Sequence, residues 1–131
     1  MGQLAMGIVL RDFVQADTFE LIVAEANGTV VVAVGYVSPG MVKWDWLEPE
    51  WTVMRMLVVV PGARGHGIGR SLADECIRRA RRDDAMFMAI HTSLIMAVAL
   101  AMYKRRGFAL LRPLPDINGV KYGLYLKALA A

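Results

Sequence analysis

Apolar and polar positions along the chain change their period several times, and each change marks an element. Glu20–Ala26 and Thr29–Val37 are two β-rich runs on either side of Asn27-Gly28. That dipeptide tolerates positive φ at both positions, so a β-hairpin with a type I′ turn is expected there. Ser38-Pro39-Gly40 closes the hairpin, and a tryptophan-rich stretch over residues 41–49 leads into an apolar run over 52–60, which suits a strand buried on both faces. Pro61-Gly62 stops that strand. From residue 67 to 82, Ile68, Leu72 and Cys76 form one row and Ala73, Ile77 and Ala80 a second beside it, the stripe of an amphipathic helix. After Asp83-Asp84 the pattern predicts a strand over 86–92, a helix over 96–105 and Gly107 as its C-terminal stop. A strand over 108–112, a Pro113-Leu114-Pro115 loop and a last strand over 122–129 complete it. Strand, helix and strand in that order imply a right-handed crossover, so runs 52–60 and 86–92 are expected to be parallel neighbours. The hairpins make the rest of the sheet antiparallel. The expected class is therefore α/β, with a mixed, mostly antiparallel central sheet containing one parallel strand pair joined by a helix.

Composition narrows this picture. With 131 residues the chain reads as a single domain over 1–131, and 56% hydrophobic against 21% charged residues exclude a disordered or low-complexity chain. Fifteen Lys and Arg against twelve acids give +3, a sign that favours a polyanionic small ligand and a magnitude short of a nucleic-acid-binding charge. Cys76 is the single cysteine, which excludes an intrachain disulfide and a cysteine metal cluster and fits a reducing, cytoplasmic compartment. The first ten residues are apolar but lack a cationic start, unlike a secretory signal. Residues 85–102 are uncharged and flanked by Arg81-Arg82 and Lys104-Arg105-Arg106, the outline of a minimal membrane span. Against it, His91-Thr92-Ser93 sits near the centre and divides a strand-like half from an Ala-rich helical half, so no membrane partner is expected.

Chemistry concentrates at Arg64-Gly65-His66-Gly67-Ile68-Gly69, between the buried strand and its helix. Free N–H groups and the helix dipole favour phosphate at such a junction, and glycine lets a ligand approach the backbone. A Walker loop is excluded because Ile68-Gly69 follows Gly67, and a dinucleotide fingerprint needs glycine where Arg70 stands. What fits is Arg-x-x-Gly-x-Gly, made by Arg64, Gly67 and Gly69, just past Val58-x-x-Pro61. This resembles the pyrophosphate loop of the GNAT superfamily, the acetyl-CoA-dependent N-acyltransferases. Met96-x-x-Ala99-x-x-Met102-Tyr103-x-x-x-Gly107-Phe108 is similar to that family's second signature, a helix carrying Tyr and ending in Gly-Phe. The resemblance covers residue 20 to the C-terminus, and the co-occurrence of two motifs is its strength.

The resemblance implies a splayed parallel pair with pantetheine adding to the first strand, its amides pairing with backbone at Leu57, Val58 and Val59. It places the pyrophosphate on the turn made by Arg64, Gly65, His66, Gly67, Ile68, Gly69 and Arg70, the two arginines adding charge-assisted contacts. A strand N–H near Leu57 would stabilise the oxyanion, and Tyr103 would serve as general acid to the leaving sulfur. The implied activity is transfer of acetyl from acetyl-CoA to a primary amine of a small molecule or peptide by direct attack, without a metal.

Three departures stand out. The family often has a glutamate base on the first parallel strand, whereas Val53-Met54-Arg55-Met56 carries no carboxylate, which leaves a water chain or an already neutral amine. Met96 stands where many relatives have asparagine touching the cofactor. Only 19 residues precede Glu20, where the family builds a strand and acceptor-binding helices, so an N-terminally shortened domain is expected. Its acceptor site is incomplete, lost or supplied by another subunit, and a homodimer would cover the exposed surface.

Other residues have plainer readings. Arg78-Arg79-Ala80-Arg81-Arg82 and Lys104-Arg105-Arg106 read as solvated helix ends where cations suit the dipole, Cys76 as core, and Glu48 and Glu50 as a solvated loop. His91 is either a satisfied structural histidine or a base at the cleft. Trp44, Trp46 and Trp51 either cover a sheet edge or shape an acceptor pocket. The rival to the enzyme is a degenerate CoA-binding or interaction module that retains the turn without turnover.

Overall fold

A computed structural model describes residues 3–4, 8–15, 19–41, 47–59, 62, 67–93 and 97–129. The elements are β1 (Gln3–Leu4), β2 (Ile8–Gln15), β3 (Glu20–Ala26), β4 (Thr29–Val37), β5 (Thr52–Val59), α1 (Ile68–Arg82), β6 (Phe87–Ser93), α2 (Ala97–Arg105), β7 (Ala109–Ile117) and β8 (Val120–Ala128). The strands form one sheet in the order β1-β2-β3-β4-β5-β6-β8-β7. Every neighbouring pair is antiparallel except β5 and β6, which α1 connects as a crossover. The fold is thus α/β with a mixed sheet and one parallel pair, as the pattern predicts.

The β3–β4 hairpin turns at Asn27 (φ 53°) and Gly28 (φ 78°), the left-handed pair that a type I′ turn requires. A second turn of the same kind, Asn118 (φ 50°) and Gly119 (φ 78°), joins β7 to β8. Both helices pack on one face of the sheet. Ile68, Leu72, Ala73, Cys76, Ile77 and Ala80 of α1 are buried there, with Met102 and Tyr103 of α2, against Ile22, Val34, Met54, Met88 and Tyr125. The two predicted rows of the first helix are therefore its core face. Arg106 ties the helices together, donating to both carboxylate oxygens of Asp74 on α1 at 2.7 and 3.2 Å. The other face carries a smaller cluster of Val37, Leu47, Val53, Ala89 and Leu124, with Phe19, Met41, Trp51 and Leu114 against it.

Several expectations are corrected. The predicted Pro113-Leu114-Pro115 loop is the middle of β7, an edge strand in which a missing N–H costs no ladder hydrogen bond when it points away from β8. Ahead of Glu20, β1 and β2 extend the sheet beyond the hairpin where the sequence reading placed no element. The uncharged run over residues 85–102 is divided between β6 and α2, and among the described residues no helix is long and apolar enough to cross a membrane. Arg79, read as part of a solvated face, is 2% exposed. It donates to Glu20 Oε1 at 2.9 Å and to Glu75 Oε1 at 3.2 Å. Arg82 reaches the other oxygen of Glu20 and grips Asp83, which accepts a 2.7 Å hydrogen bond from the Tyr36 hydroxyl. These contacts clamp the C-terminal end of α1 to the start of β3 and the end of β4.

Candidate active site

The parallel pair provides the cleft. Its register comprises Thr52 opposite Met88 and Val53 opposite Ala89. Beyond these partners β5 runs on to Val59 against β4, and β6 runs on to Ser93 against β8. The two central strands therefore diverge toward their C-terminal ends, leaving a split between them. Within β5 the ladder to β4 shifts by one residue: Ala33 faces Val58 and Gly35 faces Arg55, so Met56 and Leu57 together oppose Val34. Such a bulge kinks the strand and turns a backbone group out of the ladder. It falls beside the split, and Leu57, Val58 and Val59 lie on the diverging half of β5.

At the end of this half stands the start of α1. Gly67 caps it in the left-handed conformation, φ 73° and ψ 12°, and no side chain caps the helix. The first turn contains no acidic residue, so the amides of Ile68, Gly69 and Arg70 present the positive end of the dipole without a competing carboxylate. Ile68 is buried and anchors the turn, Gly69 is half-buried, and Arg70 is exposed. The Arg70 guanidinium folds back over Gly67: a Cβ on that glycine would lie 2.7 Å from Arg70 Nη2. Arg64, Gly65, His66 and Met96 lie outside the described residues, as do Trp44 and Trp46.

Tyr103 lies on α2 in the helix-side core, 7% exposed, with its ring edge-on to Phe108 at 5.9 Å. Gly107, at φ 92°, ends the helix and lets the Phe108 amide return to the Tyr103 carbonyl at 3.2 Å. Burial, with a smaller effect of Cys76, pushes the phenol up to about 12, so it stays protonated and able to donate at neutral pH. Cys76 is buried among the helix-side core residues, and burial holds its thiol protonated too.

Two polar side chains, Arg55 and His91, stand on the opposite face of the sheet. Met54, within the Val53-Met54-Arg55-Met56 stretch that lacks the family's carboxylate, is buried toward the helices. Arg55 faces the other way and is the single charged residue of β5; that isolated charge in an apolar run was the available signal. His91 is half-buried, its ring 6.2 Å from that of Tyr122, and burial together with the charge of Arg55 holds its imidazole below the usual histidine range. Glu48 and Glu50 are exposed, whereas Trp51 packs against the cluster around Val53 and so covers a sheet face rather than an edge.

Known proteins match this arrangement. The acetyltransferase (GNAT) family matches residues 3–108, so the likeness begins well before residue 20 and takes in the first two strands. An L-methionine sulfoximine/L-methionine sulfone acetyltransferase of Salmonella typhimurium is 31% identical over 111 residues, which are 82% of this chain and 60% of that protein. The chain thus spans about three-fifths of the length of that relative. Among solved structures, the ribosomal-protein-alanine N-acetyltransferase from Brucella melitensis superposes with a TM-score of 0.69 at 25% identity, over 85% of this chain and 69% of that one. A GNAT family acetyltransferase from Elizabethkingia anophelis, solved with acetyl-CoA bound, gives 0.65 at 20% identity, over 86% and 77%. Together with the split parallel pair and the glycine-capped crossover helix, these matches place the chain in the GNAT acetyltransferase family.

Proposed function

We propose that this protein is an N-acetyltransferase that moves acetyl from acetyl-CoA to a primary amine by direct attack. The observation that carries the reading is the divergence of β5 from β6 after two paired residues, with the free end of β5 leading to a glycine-capped helix start. The site fits the cosubstrate on its own terms: a backbone edge for an amide-bearing arm, and a left-handed glycine over which a diphosphate can approach helix N–H groups. When bound, acetyl-CoA supplies an activated thioester.

The chain's own residues divide the remaining work. Backbone at Leu57, Val58 and Val59 pairs with the pantetheine amides, and the turn from Arg64 through Gly65, His66, Gly67, Ile68 and Gly69 to Arg70 holds the diphosphate. The bulge at Met56 and Leu57 offers an N–H to charge developing on the carbonyl oxygen. Tyr103, protonated at neutral pH, donates to the departing sulfur. No metal is required. The compounds named for the Salmonella relative, both with an α-amine, bring amino acids onto the candidate list beside polyamines, aminoglycosides and peptide N-termini.

A second reading, a CoA-binding module without turnover, is favoured by one observation: β5 carries no carboxylate where the family often has its base. Calorimetric titration with acetyl-CoA followed by a thiol-release screen over those amines separates the two. Binding with release supports the enzyme, binding without release supports the module, and no binding removes both.

A further inference from the structure

The end of α2 is tied down from three sides. Within the segment itself, Gly107 donates to the Lys104 carbonyl at 3.0 Å and Phe108 to the Tyr103 carbonyl at 3.2 Å, the two bonds of a Schellman cap with Arg106 as the capping residue. The apolar contact that accompanies such a cap is the edge-on meeting of the Tyr103 and Phe108 rings. Tyr103 therefore belongs to the cap through both its carbonyl and its ring. From α1, Asp74 accepts from the Arg106 guanidinium with both carboxylate oxygens. From β8, Lys127 Nζ donates to the Arg106 carbonyl at 2.5 Å. Lys127 stands opposite Met88, whose side chain lies in the helix-side core, so the lysine rises on the same face as α2. Gly107 leaves room for it: a Cβ there would stand 3.1 Å from Lys127 Nζ. Burial and the charge of Arg81 hold the ammonium below the usual lysine range, and the carbonyl satisfies this partly buried donor.

We infer that Lys127 is a positioning residue for acyl transfer, setting through the Arg106 carbonyl where α2 holds Tyr103; the assignment rests on Tyr103 being the acid, as proposed above, and deepens that reading. α2 has nine residues, of which Met102 and Tyr103 are buried and Ala99 and Leu100 partly so. So short a contact gives packing little hold on where the helix sits, and the cap decides it. The Asp74 side chain is 58% exposed, so its pair with Arg106 is screened by water, whereas the bond from Lys127 is partly buried and is the stronger tie. Arg106 is about one helical turn from Tyr103, so a displacement of the cap reaches the phenol almost undiminished. An acid serves the departing sulfur only within hydrogen-bond reach, and a misplacement of about 1 Å costs roughly a hundredfold in rate. Lys127 exchanges no proton with the substrate; it holds in place the group that does.

The test uses acetyl-CoA with the fastest amine of the panel. Lys127→Met keeps the stem and removes the donor. Its kcat is expected to fall by about tenfold, with KM and calorimetric affinity for acetyl-CoA unchanged, and Lys127→Arg to recover most of the loss. The deciding measurement is the same substitution in Tyr103→Phe. With the phenol gone, Lys127→Met should cost less than about twofold further, whereas a general structural effect would multiply the two losses. Should Lys127→Met not fold, Lys127→Gln, one bond too short to reach the carbonyl, is read in the same way. An undiminished kcat in the single variant, or losses that multiply in the double one, overturns the inference and leaves the acyltransfer reading standing. A fully active Tyr103→Phe overturns the acid and the positioning role together, and absence of thiol release with every amine overturns the enzyme reading with them.

Discussion

Burial pushes the Tyr103 phenol up to about 12, so it stays protonated at neutral pH and its proposed role as acid would need no finely tuned acidity. Tyr103→Phe keeps the ring against Phe108 and removes only the hydroxyl. Thiol release is expected to fall by about a hundredfold or more, with acetyl-CoA affinity by calorimetry unchanged. Full activity in that variant would remove Tyr103 from the mechanism. Gly67→Val meets two obstacles: the left-handed φ of 73°, which costs a side chain about 1–2 kcal/mol, and the Arg70 guanidinium 2.7 Å from its Cβ. Acetyl-CoA affinity should drop by about tenfold or more, and an unchanged affinity would argue against a diphosphate at this turn. At this scale the sequence was readable where backbone conformation demands a residue type. Asn27-Gly28, Gly67 and Gly107 all have the positive φ that their places in turns and caps call for. Arg79 was not readable, because its partner Glu20 is 59 residues away and only the folded sheet brings them together.

Among elements, α1 is bound to the sheet by apolar rows along its length and by charge at its end. Arg79 is buried between Glu20 and Glu75, so Arg79→Ala would leave those carboxylates without their buried partner and cost about 3 kcal/mol, read as a lower urea midpoint. Arg78 and Arg79 hold the Glu75 carboxyl below its usual range, and Arg82 and Tyr36 do the same for Asp83. Folded values below unfolded ones mean that the stabilisation is complete above the unfolded values, about pH 4, and is lost as pH falls through the folded ones. The melting temperature should stay level from pH 7 to about 5 and decline below about 4. Glu75→Gln with Asp83→Asn should flatten that decline; an unaltered acid limb would assign it to other groups. Elements with a strong period were legible, as α1 shows with its two apolar rows. Pro113 and Pro115 misled the reading, because a proline signals a break only when the lost N–H would have been used, and an edge strand need not use it. The same prolines protect β7, which exposes Leu110, Leu111 and Ile117. Replacing both with Val should raise light scattering at concentrations where the parent stays clear.

For the molecule as a whole, cosubstrate binding at the split, as proposed above, would be coupled to stability. A ligand that binds only the folded form at 100 times its Kd adds about 2.7 kcal/mol, roughly 10 °C in melting temperature for a chain of this size. Acetyl-CoA should produce such a shift in the parent and a much smaller one in Gly67→Val. The fold class and crossover were legible because a buried strand, an amphipathic helix and a second strand leave few topologies open. The proximity of Arg55 to His91 was not, because the two lie on different strands and no linear spacing encodes their separation. Two paired residues where a parallel ladder would run further also leave an unfinished hydrogen-bonding edge on β5. On the acyltransfer reading proposed above, that edge is a rail awaiting its partner, which the amide-bearing arm of the cosubstrate would supply. Solvent deuterium should therefore enter the outward amides over residues 54–59 quickly in the empty protein and slowly once that partner is in place, which makes isotope exchange a map of occupancy.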